Sequence, residues 1–230
     1  MDFAPNLPYN QKPEELFSTL ETDPEEGLSS TEASKRLEKD GKNVLPEAKK
    51  VSPLELFLKQ FASFMIYILL GAIGLSLLLR DYKDAILIGI VVIVNAIIGF
   101  YQEYKAEKTL ASLKKMASPT AKVLRDGQID EIATAKLVKG DIVILEEGDL
   151  IPADVRLFES VGLSINESIL TGESVPSQKD ADDLIENKVA VGDQLNMAFM
   201  GTIIASGNGR GVVTATGAIT QIGRIAATLA

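Results

Sequence analysis

Hydrophobic residues follow three different rhythms along this chain. Between Gln60 and Leu79 twenty residues pass without a charge, QFASFMIYILLGAIGLSLLL, and after RDYKD come eighteen more, AILIGIVVIVNAIIGFYQ, from Ala85 to Gln102. A bilayer core about 30 Å thick needs about twenty helical residues, and the usual range starts near about seventeen. Runs of this length joined by five polar or charged residues predict a transmembrane hairpin rather than a pair of buried core helices. Lys49, Lys50 and Lys59 precede the first run and Lys105, Lys108, Lys114 and Lys115 follow the second, against Arg80 and Lys83 in the connecting loop. That asymmetry places both ends of the hairpin in the cytoplasm. The second helix is expected to run on, because EYKAEKTLASLKKMAS keeps strong helix formers with Leu110 and Leu113 at helical spacing. From about Lys83 to Met116 it would project about 20 Å past the lipid as a stalk, with Pro119 ending it.

Before the hairpin the rhythm is that of short amphipathic helices. Pro13 can open one, with Leu16, Phe17 and Leu20 on a single face. Ser29-Ser30-Thr31-Glu32 offers a capping box for a second, in which a hydroxyl caps the first turn and Glu32 reaches back. Gly41 is placed to end that helix in a left-handed conformation. This stretch reads as a packing module without chemistry of its own. After the stalk the period falls to two. AKVLRDGQIDEI alternates about Asp126-Gly127, a favoured two-residue hairpin turn. DIVIL, VRLFES, NMAFMGTIIAS and GRGVVTATG continue the pattern with Gly or Asp at most junctions. About eight short strands and no long helix predict a compact β-sandwich or jelly roll. Near the end Thr220 can cap a short helix, QIGRIAATLA.

Composition narrows the chemistry. The chain has 230 residues, a formal charge of −9, no Cys and no His. Disulfides, thiolate metal sites, a Cys nucleophile and the usual general base are all excluded. From Ala117 onward nine Lys/Arg face sixteen Asp/Glu, which argues against a nucleic-acid partner. No short apolar segment with a cleavage site opens the sequence, so no signal peptide is read there. Proton chemistry falls to Asp, Glu, Lys or Tyr. Asp149 and Asp154, the latter in IPAD, are read as turn-forming or domain-packing residues. Asn95 in the second run is read as an interhelical hydrogen-bond group. GNGRG at 207–211 lacks the Lys-Ser/Thr end of a phosphate loop and reads as a turn.

The candidate site is Thr171-Gly172-Glu173-Ser174, inside NESILTGESVP. Alone, such a sequence is an ordinary turn with a solvated Glu at its tip. Its context is more specific: KGDIVILEEGDLIPADVRL precedes it and MGTIIASGNGRGVVTATGAITQIGRI follows, behind a hairpin and a basic stalk. This ordered set resembles the P-type ATPases. The second run with its stalk, VIVNAIIGFYQEYKAEKTLASLK, is most similar to calcium-transporting members of the type II class. The resemblance covers about Gly27 to the end. Asn166 stands where many members carry Asp, and Ser177 where an apolar residue is common; both bear on subclass rather than family.

The resemblance implies an organisation and a mechanism. Residues 1–55 would be a cytosolic helical segment and 56–118 the transmembrane hairpin, with spans at about 60–79 and 85–102 and the stalk. Residues 119–218 would be a β-rich, jelly-roll-like actuator domain, and 219–230 the start of a helix leading to a third span. The expected fold is thus a membrane α-helical hairpin plus a mainly-β cytosolic domain. In the family ATP phosphorylates an aspartate within Asp-Lys-Thr-Gly-Thr, a motif not found here. ATP and Mg²⁺ would therefore be bound by other domains of the same pump, and this chain alone is expected to form no phosphoenzyme. Thr171, Gly172, Glu173 and Ser174 would act in dephosphorylation. Glu173 would orient water and accept its proton, Gly172 would let the backbone approach the phosphate, and Thr171 would offer a hydroxyl. A carboxylate beside a phosphate needs neutralisation, by Mg²⁺ or a Lys, so Glu173 suits a domain that swings in at one stage only. Glu167, just before the loop, is read as packing or solvating. The partners implied are the lipid bilayer, the phosphorylation and nucleotide-binding domains and a transported cation, in a prokaryotic plasma membrane. A different class shares the outline: a two-span membrane protein with a cytosolic β-domain, gated by tension like small mechanosensitive channels. Hairpin and β-domain fit either; a channel has no use for the Glu173 loop.

Overall fold

The computed structural model describes residues 7–45, 52–116, 119–185 and 187–229. The chain forms two compact units, one made of residues 47–117 and the other of residues 1–46 with 118–230.

The first unit is helical. Helix α3 (Pro53–Lys59) starts with Pro at its first position and the Ser52 hydroxyl accepting from Glu55 N at 3.1 Å. After a single 3₁₀ turn, Gln60–Ala62, the chain bends by 67° and continues as α4 (Phe64–Leu78). Helix α5 (Tyr82–Met116) has 35 residues, which at 1.5 Å each is about 52 Å. Phe57, Phe61, Phe100 and Tyr104 join α3 to α5 with ring centroids 5.4 to 6.0 Å apart. Gln60 donates from Nε2 to Glu103 at 2.7 Å, and its side chain fills the space a Cβ on Gly99 would occupy. Ala85, Val92, Ala96 and Ile66 form the buried seam, while Ile86, Leu87, Ile90, Val94 and Ile97 stay exposed.

The run from Gln60 to Leu79 is therefore not one straight span. Ser63 is extended, at φ −88 and ψ 143, and its hydroxyl caps Ile66 N at 3.4 Å. Capping and helix continuation compete for the same serine, and capping wins here. Helix α4 has 15 residues, about 22 Å, short of a bilayer core. Among the described residues one helix, Tyr82–Ala106, is long and apolar enough to cross a membrane, or two if the bent pair counts as one span. Asn95 is exposed rather than turned toward α4.

The second unit is built on an antiparallel sheet of seven strands: β1 (Thr120–Arg125), β2 (Gln128–Ala133), β3 (Ile142–Leu145), β4 (Asp154–Asn166), β5 (Ser177–Gln178), β6 (Met197–Ala198) and β7 (Ile203–Ala215). The order is β2-β1-β3-β7-β4-β5, with β6 also on β4. The expected hairpin forms about Asp126 and Gly127, at φ 49 and 70, the left-handed pair a two-residue turn requires. Where about eight short strands were expected, β4 and β7 are two long ones of 13 residues, paired through several register shifts. GNGRG is accordingly strand interior and not a turn. A Cβ on Gly209 would stand 2.7 Å from Glu159 O, and one on Gly211 would stand 2.3 Å from Val155 Cγ1. Glycine there marks close approach of a neighbour. Val123, Leu145, Val155, Leu157, Leu163 and Val213 form the core.

The N-terminal segment belongs to this unit. Helix α1 (Pro13–Leu20) buries Leu16 and Leu20 against Leu124, Ile142 and Val212, with Phe17 edge-on to Phe158 at 5.1 Å. Helix α2 (Ser30–Asp40) is capped by Ser29 as expected, but Glu32 bonds Arg36 Nε at 3.0 Å instead of reaching back. Gly41 has φ 83 with ψ −176, a glycine-only region rather than the left-handed helical one. Asn43 is buried, donating to Thr134 O and Pro152 O and accepting from Gly217 N at 2.7 Å.

Gly27 marks the tightest junction. Its φ is +72, and a Cβ would lie 1.9 Å from the Leu124 carbonyl oxygen. Gly27→Ala should lower the unfolding free energy by about 3 kcal/mol, from left-handed strain and forced separation of α2 from β1. Urea midpoints of the detergent-solubilised chain measure this; a loss below about 1 kcal/mol would mean that the turn simply relaxes.

Candidate functional site

Strand β4 ends at Asn166, whose Oδ1 accepts from Ser168 N at 3.1 Å and turns the chain into α6 (Ser168–Thr171), a single turn of helix. The Glu167 carbonyl anchors that turn. It accepts from Leu170 N at 2.8 Å, Thr171 N at 3.0 Å and the Thr171 hydroxyl at 3.2 Å. Gly172 ends the turn at φ +78, donating to Ser168 O at 2.9 Å, a conformation glycine adopts without a Cβ penalty. Thr171 Oγ1 then accepts from Glu173 N at 3.2 Å.

Thr171, Gly172, Glu173 and Ser174 are thus one contiguous tip, all exposed. The floor beneath them is apolar: Leu170 packs with Tyr9, Met197, Phe199 and Val191. Gly192 lies under the Thr171 methyl, where a Cβ would come within 3.1 Å. The Thr171 hydroxyl serves the turn itself. An exposed carboxylate on an anchored tip can meet a group carried by another domain; among the described residues no cluster of three or more Asp or Glu could hold a metal ion. GNGRG lies inside strand β7, away from this tip.

Asp141 is buried against Arg125 at 2.7 Å, and two other carboxylates are buried as well. Asp154 accepts from Met200 N at 3.0 Å and from Gln221 N at 2.7 Å, tying the start of β4 to the first turn of α7 (Gln221–Leu229). Burial pushes its carboxyl above the usual range, and the two amide bonds oppose that shift. Thr220 caps the same helix, accepting from Gly223 N at 3.0 Å. Asp154 is therefore a packing residue, and Asp149 a turn residue that accepts from Glu146 N at 3.1 Å. Glu167 is the second: it is 2% exposed, with Oε1 2.7 Å from Lys179 Nζ. Arg156 is buried as well, donating to Leu157 O, Ala181 O, Asn196 O and Gln11 O, and burial pushes its guanidinium down to about 10. Sequence reading missed the Glu167–Lys179 pair and the Arg156 hub, since neither carries a local signal.

Two protein families match this sequence. Residues 115–230 match the P-type ATPase actuator domain, and residues 8–76 match the cation transporter/ATPase N-terminus. The chain belongs to the P-type ATPases. Its β unit is the actuator domain of that family, and the tip at Glu173 is an actuator loop. A calcium-transporting ATPase of Bacillus subtilis is 47% identical over 212 residues, 92% of this chain and 24% of the relative. A probable cation-transporting ATPase F of Mycobacterium tuberculosis is 46% identical over 92% of this chain and 23% of its own length. A sodium/potassium exporting P-type ATPase of Schizosaccharomyces pombe is 42% identical over 88% of this chain and 20% of its own. The chain thus spans about a quarter or less of the length of these P-type ATPases.

Proposed function

We propose that this chain is the N-terminal part of an ATP-driven cation pump, in which Glu173 directs hydrolysis of an aspartyl phosphate carried on a separate phosphorylation domain. The observation that carries this is the exposed Glu173 on a turn fixed from below by Glu167, Thr171 and Leu170, in a P-type ATPase actuator domain. A water oriented by the carboxylate attacks phosphorus in line. Its oxygen bonds to phosphorus, the bond from phosphorus to the aspartyl oxygen breaks, and Glu173 takes the proton. Thr171 holds the Glu173 amide, Gly172 leaves room for the phosphoryl oxygens and Ser174 completes the tip. ATP and Mg²⁺ belong to the nucleotide-binding and phosphorylation domains.

The helical unit is the membrane part. The Tyr82–Ala106 helix is strongly apolar, and most of its large hydrophobic side chains, Ile86, Leu87, Ile90, Ile93 and Ile97 among them, are exposed. A soluble unit would hide that surface. In this reading α4, with the bent segment before it, makes the first crossing and α5 the second. Both ends lie in the cytoplasm, in the plasma membrane of a prokaryote. Single cysteines at Ser18, Tyr82 and Asn208, all exposed, test the arrangement. In intact cells an impermeant thiol reagent should label only the Tyr82 site; labelling at Asn208 would invert the topology.

Calcium is the transported ion we infer, supported by the calcium-transporting relative at 47% identity. The full-length pump should take a phosphoryl label from ATP that survives acid and is released by hydroxylamine, and calcium should promote that label. A label that answers to sodium or potassium instead assigns a different ion. No label with any cation removes the pump reading.

A further inference from the structure

The loop that carries Glu173 leaves the sheet at Glu167 and rejoins it at β5, and a buried ion pair closes it at that base. Glu167 Oε1 and Lys179 Nζ are 2.7 Å apart, with side chains 3% and 0% exposed. Lys179 is itself fixed: its amide donates to Leu163 O at 2.9 Å, Nζ donates to Gln194 O at 3.3 Å, and Nζ lies 5.7 Å from the Phe199 ring centroid. Phe199 also belongs to the floor under Leu170. From Lys179 the connection runs through the Glu167 side chain to its carbonyl, on to the Thr171 hydroxyl and then to the Glu173 amide.

Stability alone is a poor reason for this pair. Two charges taken from water repay their desolvation only if the remaining acceptor positions are filled, and an apolar pair of similar volume is often as stable. Here Glu167 Oε2 has no hydrogen-bond donor among the described residues. An apolar pair, however, would leave the loop base free to slide, whereas an ammonium and a carboxylate in contact fix one separation and one orientation.

We propose that the Glu167–Lys179 ion pair is a positioning device that sets the Thr171–Ser174 turn, and hence the Glu173 carboxylate, in the geometry from which it acts. This rests on the reading of Glu173 given above. Glu167 and Lys179 touch no reacting atom; they act through the turn.

The test uses the full-length pump and the double variant Glu167→Gln/Lys179→Met, which keeps volume and leaves no buried charge. Phosphorylation from ATP should proceed at the parental rate, and the melting temperature should stay close to the parental one. Decay of the phosphoenzyme should slow by about 10- to 100-fold, the scale of a misplaced reacting group. Placed in a Glu173→Gln background, the same double change should slow decay no further, because the pair acts only through that carboxylate. Parental decay in the double variant overturns the proposal, and so does an equal slowing with and without Glu173. Should the double variant fail to fold, Glu167→Asp retains both charges but retracts the carboxylate; slowed decay with normal phosphorylation supports the proposal, and parental decay overturns it. If Glu173→Gln itself leaves decay unchanged, the role of Glu173 fails and the proposal with it, an outcome distinct from failure of the pair alone.

Discussion

Glu173→Gln in the full-length pump is expected to leave phosphorylation from ATP intact and to slow hydrolysis of the phosphoenzyme by about 10²- to 10⁴-fold, the scale of a lost general base. The amide keeps the shape and most of the hydrogen-bonding capacity of the carboxylate but cannot take the proton of the attacking water. The structure removes the main objection to such a test, that the substitution might disturb the fold. Glu173 is exposed, and its own backbone amide, not its side chain, makes the bond to Thr171. Label from ATP should accumulate to a high steady state and persist through a chase with unlabelled nucleotide, while transport falls. Loss of phosphorylation with normal decay of whatever label forms would move Glu173 to an earlier, conformational step.

Glu167 makes an instructive contrast. From sequence it reads as packing or solvating, and the structure decides for packing, in a fully enclosed ion pair. Its substitution is therefore not a neutral control for Glu173→Gln. An exposed carboxylate on the same unit, such as Glu147 in the turn after β3, is the better control and should leave decay unchanged.

Features encoded within a few residues were legible in the sequence. Asp126-Gly127 forms its turn, Ser29 and Thr220 cap their helices, and Gly172 takes positive φ beside Glu173. Each depends on local backbone sterics or a hydroxyl three residues from its partner. Two local features escaped as well, Glu32 turning to Arg36 and Ser63 capping Ile66; the rest depends on distant contacts. Ser63 sits in a continuous apolar run, and nothing in that run says that its hydroxyl caps Ile66 and bends the chain. Gly209 and Gly211 read as a turn because their reason, the approach of Glu159 and Val155, lies on another strand. Glu167 and Lys179 look like surface charges until β5 pairs with β4 and brings them together.

Removing one partner of that pair at a time should destabilise the actuator domain by about 3–5 kcal/mol, because each single change leaves an uncompensated buried charge. The two variants should differ in the sign of their pH dependence. Burial holds the Glu167 carboxyl above its ordinary value and the Lys179 ammonium below its own, and each partner opposes the other's shift. In Lys179→Met the opposition is gone and Glu167 is raised further. A carboxyl whose folded value exceeds its unfolded value binds protons more tightly when folded, so the stability it contributes is present at low pH and lost as pH rises through the folded value. The deficit of Lys179→Met should therefore shrink as pH falls from about 8 toward about 5. In Glu167→Gln the buried group is an ammonium whose folded value is lowered. The unfolded state then holds its proton longer, and stability rises with pH up to the ordinary lysine range. That deficit should shrink as pH rises from about 8 toward about 10. Urea midpoints of the detergent-solubilised chain, followed by circular dichroism of the sheet, give both slopes. Parallel slopes, or deficits under about 1 kcal/mol, would mean that water reaches the pair and that it is not the closed contact between Glu167 and Lys179.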